Sequence, residues 1–287
     1  MLASLKRLLL RARFVVDGVM VGVHPSRAKG FSSEFEQHRG YAQGDDIRHI
    51  DWKAYGKFDR YFIKEYRETT NLKAYILLDA SASMGYASNG WSKYDHGATL
   101  AASLAYIMVK QQDSVGLVLF SDRIEQRLPP MATRGHLMAI LKALEERKPR
   151  GETSAGSILQ ELATSFGRRG LVIVISDLLD RSEEVVKGLK QLHSRGTDCL
   201  VFQVLDKDEL EFPFEDPTLF RDLEEDLKLL ADPQAIRSAY LDRLHALVGE
   251  YKDACRRYLI DYNLFDTSTP LDKALVRYLS WREKLHR

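Results

Sequence analysis

The chain has 287 residues, 45% of them apolar and 29% charged, and its 42 basic and 41 acidic side chains leave a formal charge of +1. That balance excludes the overall basicity of a nucleic-acid or anionic-lipid binder, and the composition lacks the biases of disordered or low-complexity chains. The length suits one large α/β domain with a smaller lobe attached. Two cysteines, Cys199 and Cys255, support neither a disulfide scaffold nor a zinc site, so a reducing, cytoplasmic setting is expected.

At the amino terminus, Leu2, Leu5, Leu8 and Leu9 share one helical face, with Lys6, Arg7 and Arg11 mostly elsewhere. This predicts a short amphipathic helix docked on its own domain; the alternative is a membrane surface. The apolar run stops too early for a signal peptide, and no run of eighteen apolar residues occurs, so no transmembrane segment is expected. Residues 17–70 are rich in Gly, His, Arg and Asp without clear periodicity and are assigned, with the helix, to an amino-terminal lobe of residues 1–70.

The first core strand is predicted over Ala74–Asp79, an apolar run ending in an acid and followed by small residues. A helix follows from about Lys93 to Gln112, then a strand over Ser114–Phe120 and an alternating edge strand over Ile124–Leu128 before Pro129 and Pro130. Helices are predicted over 135–147 and 154–166, a strand over Leu171–Ile175 with Asp177 just beyond it, a helix over 183–194 and a strand over Cys199–Leu205. Beyond these lie a possible hairpin over 218–231, a helix from Pro233 to about Tyr258, a strand over 262–266 and a last helix from about Ser268 to Leu285, with Pro270 in its first turn.

Strands alternating with helices predict an α/β fold, a Rossmann-like, doubly wound and mostly parallel sheet with helices on both faces. It occupies residues 71–287 and carries an acidic insertion at about 206–232, where eleven acids meet three bases, and carboxy-terminal helices. Ligands of such sheets bind beyond the carboxyl ends of the strands, at the switch in strand order. Asp79 and Asp177 both fall at that edge.

Asp79-Ala-Ser81-Ala-Ser83 follows the first core strand, and an extended turn can aim its carboxylate and two hydroxyls into one small volume. Hard divalent cations take oxygen ligands, Mg2+ about six at roughly 2.1 Å. Thr153 and Asp177 are the further candidates, each beginning a loop or ending a strand at the same edge. Each has a competing role in helix or turn capping, and Ser154 can exchange with Thr153. Ser176 is a supporting candidate.

The D-x-S-x-S, the later threonine and the strand-end aspartate resemble the metal-ion-dependent adhesion site of von Willebrand factor A domains. Upstream, Gly30-Phe-Ser-Ser-Glu-Phe35, Arg39-Gly-Tyr41, Gly44-Asp-Asp-Ile-Arg48 and Ile50-Asp-Trp52 together resemble the signature of a bacterial family catalogued as domain of unknown function fifty-eight. The resemblance implies a von Willebrand factor A-like fold whose Mg2+ or Mn2+, held by Asp79, Ser81, Ser83, Thr153 and Asp177, is completed by a carboxylate of a protein partner. It also implies a MoxR-type AAA+ ATPase, or its client, as that partner in remodelling or maturation. The acids, Arg48 and His49 within Gly44–Trp52, and His24, are read as structural pairs of the lobe rather than as a second site.

A nucleotide-binding enzyme is disfavoured because no G-x-x-x-x-G-K-[ST] or strand-borne G-x-G-x-x-G occurs. The alternative is a Mg-dependent phosphohydrolase using the strand-end aspartates. The usual D-x-D of that chemistry is absent here, since position 81 is serine, and no histidine or second acid lies beside the motif in sequence. A non-catalytic binding module is therefore expected.

Overall fold

A computed structural model of the chain describes residues 2–22, 35–40, 52–58, 60–66, 72–166, 170–224 and 227–284. The elements run α1 (Leu2–Gly22), β1 (Phe35–Gly40), α2 (Trp52–Phe58), β2 (Phe62–Tyr66), β3 (Lys73–Asp79), α3 (Lys93–Lys110), β4 (Ser114–Phe120), β5 (Ile124–Met131), α4 (Arg134–Glu146), α5 (Ala155–Ser165), β6 (Gly170–Ser176), α6 (Ser182–Ser194), β7 (Thr197–Leu205), α7 (Lys207–Glu211), β8 (Thr218–Arg221), β9 (Lys228–Ala231), α8 (Pro233–Arg257), β10 (Asp261–Asp266) and α9 (Asp272–Lys284). They form two compact units, Val23–Asn71 and a larger one joining Met1–Gly22 to Leu72–Arg287. In the smaller unit β1 and β2 pair antiparallel, with a bulge between Phe35 and Gln37, and Tyr55 of α2 stacks on Tyr61. The quoted signature from Gly30 to Trp52, with His24 and His49, lies largely outside the described residues.

The larger unit is the doubly wound, mostly parallel α/β sheet expected from the sequence. Its six strands lie in the order β10-β7-β6-β3-β4-β5, all parallel except β5, which pairs antiparallel with β4. The inner strands are apolar almost without interruption because both faces are covered, the condition that parallel sheets require. On one face Leu77, Val118, Val174 and Val201 pack with Leu159 of α5, Leu189 of α6 and Tyr251 of α8. On the other face α3 lies so close that a Cβ on Gly97 would stand 2.8 Å from Leu78 Cδ1, and α1, α4 and α9 pack around it. The prolines 129 and 130 lie inside β5, which an edge strand tolerates because one side of it needs no ladder hydrogen bonds.

Two features differ from the sequence reading. Helix α1 belongs with the larger unit rather than with the lobe, because its buried stripe Leu8, Ala12, Val16 and Val19 runs past Arg13 and packs on α3, α4 and α9. The last helix starts at Asp272, not near Ser268. The Asp266 carboxylate accepts the Ser268 amide (2.7 Å) and hydroxyl (2.8 Å) and holds the chain in a turn, so Pro270 precedes the helix.

Candidate metal centre

The sequence-predicted residues meet where the strand order switches, above adjacent β3 and β6. Asp79 ends β3, and its Oδ1 accepts the Ser81 amide at 2.9 Å, which bends the chain into a 3-10 turn over Ala82–Gly85. Ser81 stands at the start of that turn without capping it; its hydroxyl lies 3.1 Å from that of Ser83. Backbone bonds lock the neighbouring loop against this turn: Ala82 N–H donates to Gly151 O (2.9 Å) and Arg150 N–H to Ala80 O (2.9 Å). The loop delivers Thr153, whose hydroxyl reaches Asp79 Oδ2 at 3.3 Å. Ser154 takes the N-cap position of α5 but makes no side-chain cap, so of the two candidates it is Thr153 that faces Asp79.

From β6, the Ser176 hydroxyl donates to Asp79 Oδ2 at 2.6 Å and accepts the Leu178 amide at 3.0 Å. Leu178 has a left-handed backbone (φ 52°), costly for a side chain of its kind, and the Tyr251 hydroxyl holds its carbonyl at 3.0 Å. This strained turn carries Asp177, which is fully buried. The Asp177 carboxylate meets Lys93 Nζ at 2.8 Å, and the same ammonium meets Glu209 Oε1 at 2.6 Å.

Sequence reasoning missed Lys93, Glu209 and Glu224, three charged groups that converge here. Lys93 sits in the first turn of α3, whose start is fixed by a Ser92–Asp95 capping box. Glu209 closes a capping box with Asp206 on α7. Glu224, from the loop between β8 and β9, accepts the Thr153 amide at 3.0 Å. The fold thus supplies a second acid beside the motif, which the local sequence lacks. Phe212 is buried and packs with Phe214, Phe220 and Tyr240.

Electrostatics separates the two aspartates. Burial, and next the Asp177 charge, push Asp79 up to about 7 against the bonds from Ser176 and Ser81 that favour its ionised form. No Lys or Arg pairs with it among the described residues. Burial alone would lower Lys93, but the charges of Asp177 and Glu209 outweigh it and hold the ammonium above its ordinary range. Burial raises Glu209 and Glu224. It also raises both cysteine thiols to about 12, which removes thiolate chemistry at neutral pH.

The donor set fits a hard cation. In an octahedron with bonds of roughly 2.1 Å, neighbouring ligand oxygens stand about 3.0 Å apart. The Ser81–Ser83 hydroxyls at 3.1 Å and the Thr153 hydroxyl and Asp79 carboxylate at 3.3 Å are close to that spacing. Among the described residues no group of three or more His, Cys, Asp or Glu is placed to hold a metal, so a cation here depends on hydroxyls as much as on carboxylates.

Fold and site together define an α/β protein with an oxygen-lined centre at the switch point of its sheet. The chain belongs to the family described as protein of unknown function DUF58, whose model matches residues 37–246. An uncharacterised protein of Mycobacterium tuberculosis (strain ATCC 25618 / H37Rv) is 24% identical over 225 residues, 77% of this chain and 70% of that protein. Among solved structures, the conserved hypothetical protein BatB from Bacteroides thetaiotaomicron is 20% identical with a TM-score of 0.53, covering 74% of this chain and 99% of that one. An aerotolerance-related membrane protein from Bacteroides fragilis NCTC 9343 is 22% identical with a TM-score of 0.50, covering 73% and 98%. These likenesses show the fold. In this chain, among the described residues, no helix is long and apolar enough to cross a membrane.

Proposed function

We propose that this chain is a non-catalytic, metal-dependent protein-binding module of the cytoplasm. It holds Mg2+ or Mn2+ through Asp79, Ser81, Ser83, Thr153 and Asp177 and offers it to an acidic side chain of a partner, a MoxR-type AAA+ ATPase or its client. The observation that carries the reading is the Asp79 carboxylate: fully buried, approached by the Ser176 and Thr153 hydroxyls, and without a cation of its own. Buried carboxylates are normally paired with a cation or used to coordinate one. When bound, the metal supplies a positive charge with at least one coordination position beyond five protein oxygens. A carboxylate gains a charge attraction there that a neutral group lacks.

Turnover would also require a general acid or base placed to activate water. Asp177 is engaged by Lys93, which favours binding over hydrolysis. Calorimetric titration with Mg2+ should give a binding heat in wild type and none in Asp79→Ala, and equal heats would remove the metal assignment. The partner assignment predicts that an AAA+ ATPase co-purifies with wild type and is lost with Asp79→Ala at unchanged circular dichroism. Phosphate-ester hydrolysis that needs Asp79 would replace this reading with the phosphohydrolase one.

A further inference from the structure

The acidic insertion brings a carboxylate of the chain itself beside the centre for which the proposed function needs a partner's. Glu224 Oε2 accepts the amide of Thr153, the residue whose hydroxyl touches Asp79. Its other oxygen, Oε1, is buried and has no hydrogen-bond partner among the described residues. A buried carboxylate oxygen without a donor is costly in a protein, and a cation beside it removes the cost. Asp177 adds its own repulsion to the same carboxyl.

The element that carries Glu224 is built for release. β8 and β9 pair only with each other, over four residues each, and a lone two-stranded hairpin is marginal in water. Leu219, Leu229 and Leu230 remain well exposed, and Phe220 anchors the hairpin by stacking on Phe212 at 5.6 Å between ring centroids. Against the rigid sheet edge below it, this is the part of the centre that opens at least cost.

We propose that Glu224 turns from the Thr153 amide onto a bound metal and becomes an internal occupant of the centre, so that the β8–β9 hairpin closes the site until an acidic side chain of a partner displaces it. This rests on the metal-binding reading above. Metal clamps the hairpin through Glu224 in the free protein, and a partner's carboxylate competes for that position rather than entering an open one.

The test uses the full chain, wild type and Glu224→Gln, with Mg2+ as the metal and a poly-glutamate peptide as the acidic probe. Mg2+ should slow amide exchange across residues 218–231 in wild type and leave it unchanged in Glu224→Gln, whose Mg2+ affinity should fall about tenfold. At saturating Mg2+, Glu224→Gln should bind the peptide about tenfold more tightly than wild type, and a chelator should abolish the binding. Equal Mg2+ protection of the hairpin in both proteins, or equal peptide affinity, would overturn the internal occupant and leave the metal site standing. Absence of a Mg2+ heat in wild type would instead remove the metal reading itself.

Discussion

Two aspartates end neighbouring strands of one sheet, both fully buried, and the fold treats them differently. Asp177 has its own counter-ion, Lys93, shared with Glu209, whereas Asp79 is met by hydroxyls and an amide alone. A buried carboxylate with a built-in cation is already neutralised. One given only neutral donors keeps an unmet demand for charge.

The difference can be broken most forcefully at Lys93. Lys93→Met leaves Asp177 and Glu209 buried without a cation and should cost about 3–5 kcal/mol by chemical denaturation. Asp79→Asn in metal-free protein should cost far less, because it removes an uncompensated charge; equal losses would show that the two aspartates are alike. The next effect is on pH. The unfolded side chain titrates near 3.8 and Asp79 near 7, so the native state binds the extra proton between those values. Its contribution favours the metal-free fold below the unfolded value and is lost as pH rises through about 7. Denaturation of wild type at several pH values should show that decline, and Asp79→Asn should flatten it.

Ser176→Ala sharpens the comparison at smaller scale. It deletes the 2.6 Å bond to Asp79 Oδ2 and should cost about 1.5–3 kcal/mol at pH 8, where Asp79 is ionised, and less at pH 5. The smallest effect is expected for Thr153→Ala, whose bond to Asp79 is long at 3.3 Å: under about 1 kcal/mol in metal-free stability, with a measurable loss of Mg2+ affinity by calorimetry.

What the sequence disclosed follows range. Asp79, Ser81 and Ser83 are adjacent, and Asp177 announces itself by ending an apolar run, so strand periodicity alone places them at one sheet edge. Thr153 was readable as the start of a loop before a helix. The groups that complete the electrostatics lie 84, 116 and 71 residues from the atoms they meet, Lys93 to Asp177, Glu209 to Lys93 and Glu224 to Thr153. No local pattern marks such pairs: Lys93 reads as an ordinary first-turn residue, and the glutamates dissolve into an acidic stretch. Helix α1 was assigned to the wrong neighbour for a related reason. Its stripe was read only as far as Leu9, while the burial that ties it to the larger unit continues through Val19.

The prolines of β5 have a consequence unrelated to the centre. An outer strand is a row of unpaired donors and acceptors on which a second molecule can assemble. Because successive N–H groups alternate sides, one of Pro129 and Pro130 withdraws a donor from that row and the other falls where the pairing with β4 is bulged. At the opposite margin, Lys252, Lys273 and Arg277 line the cleft that also contains Asn263 and Leu264 of β10, so an incoming strand there meets cationic charge. Both margins of the sheet thus resist templated growth by further copies of the chain.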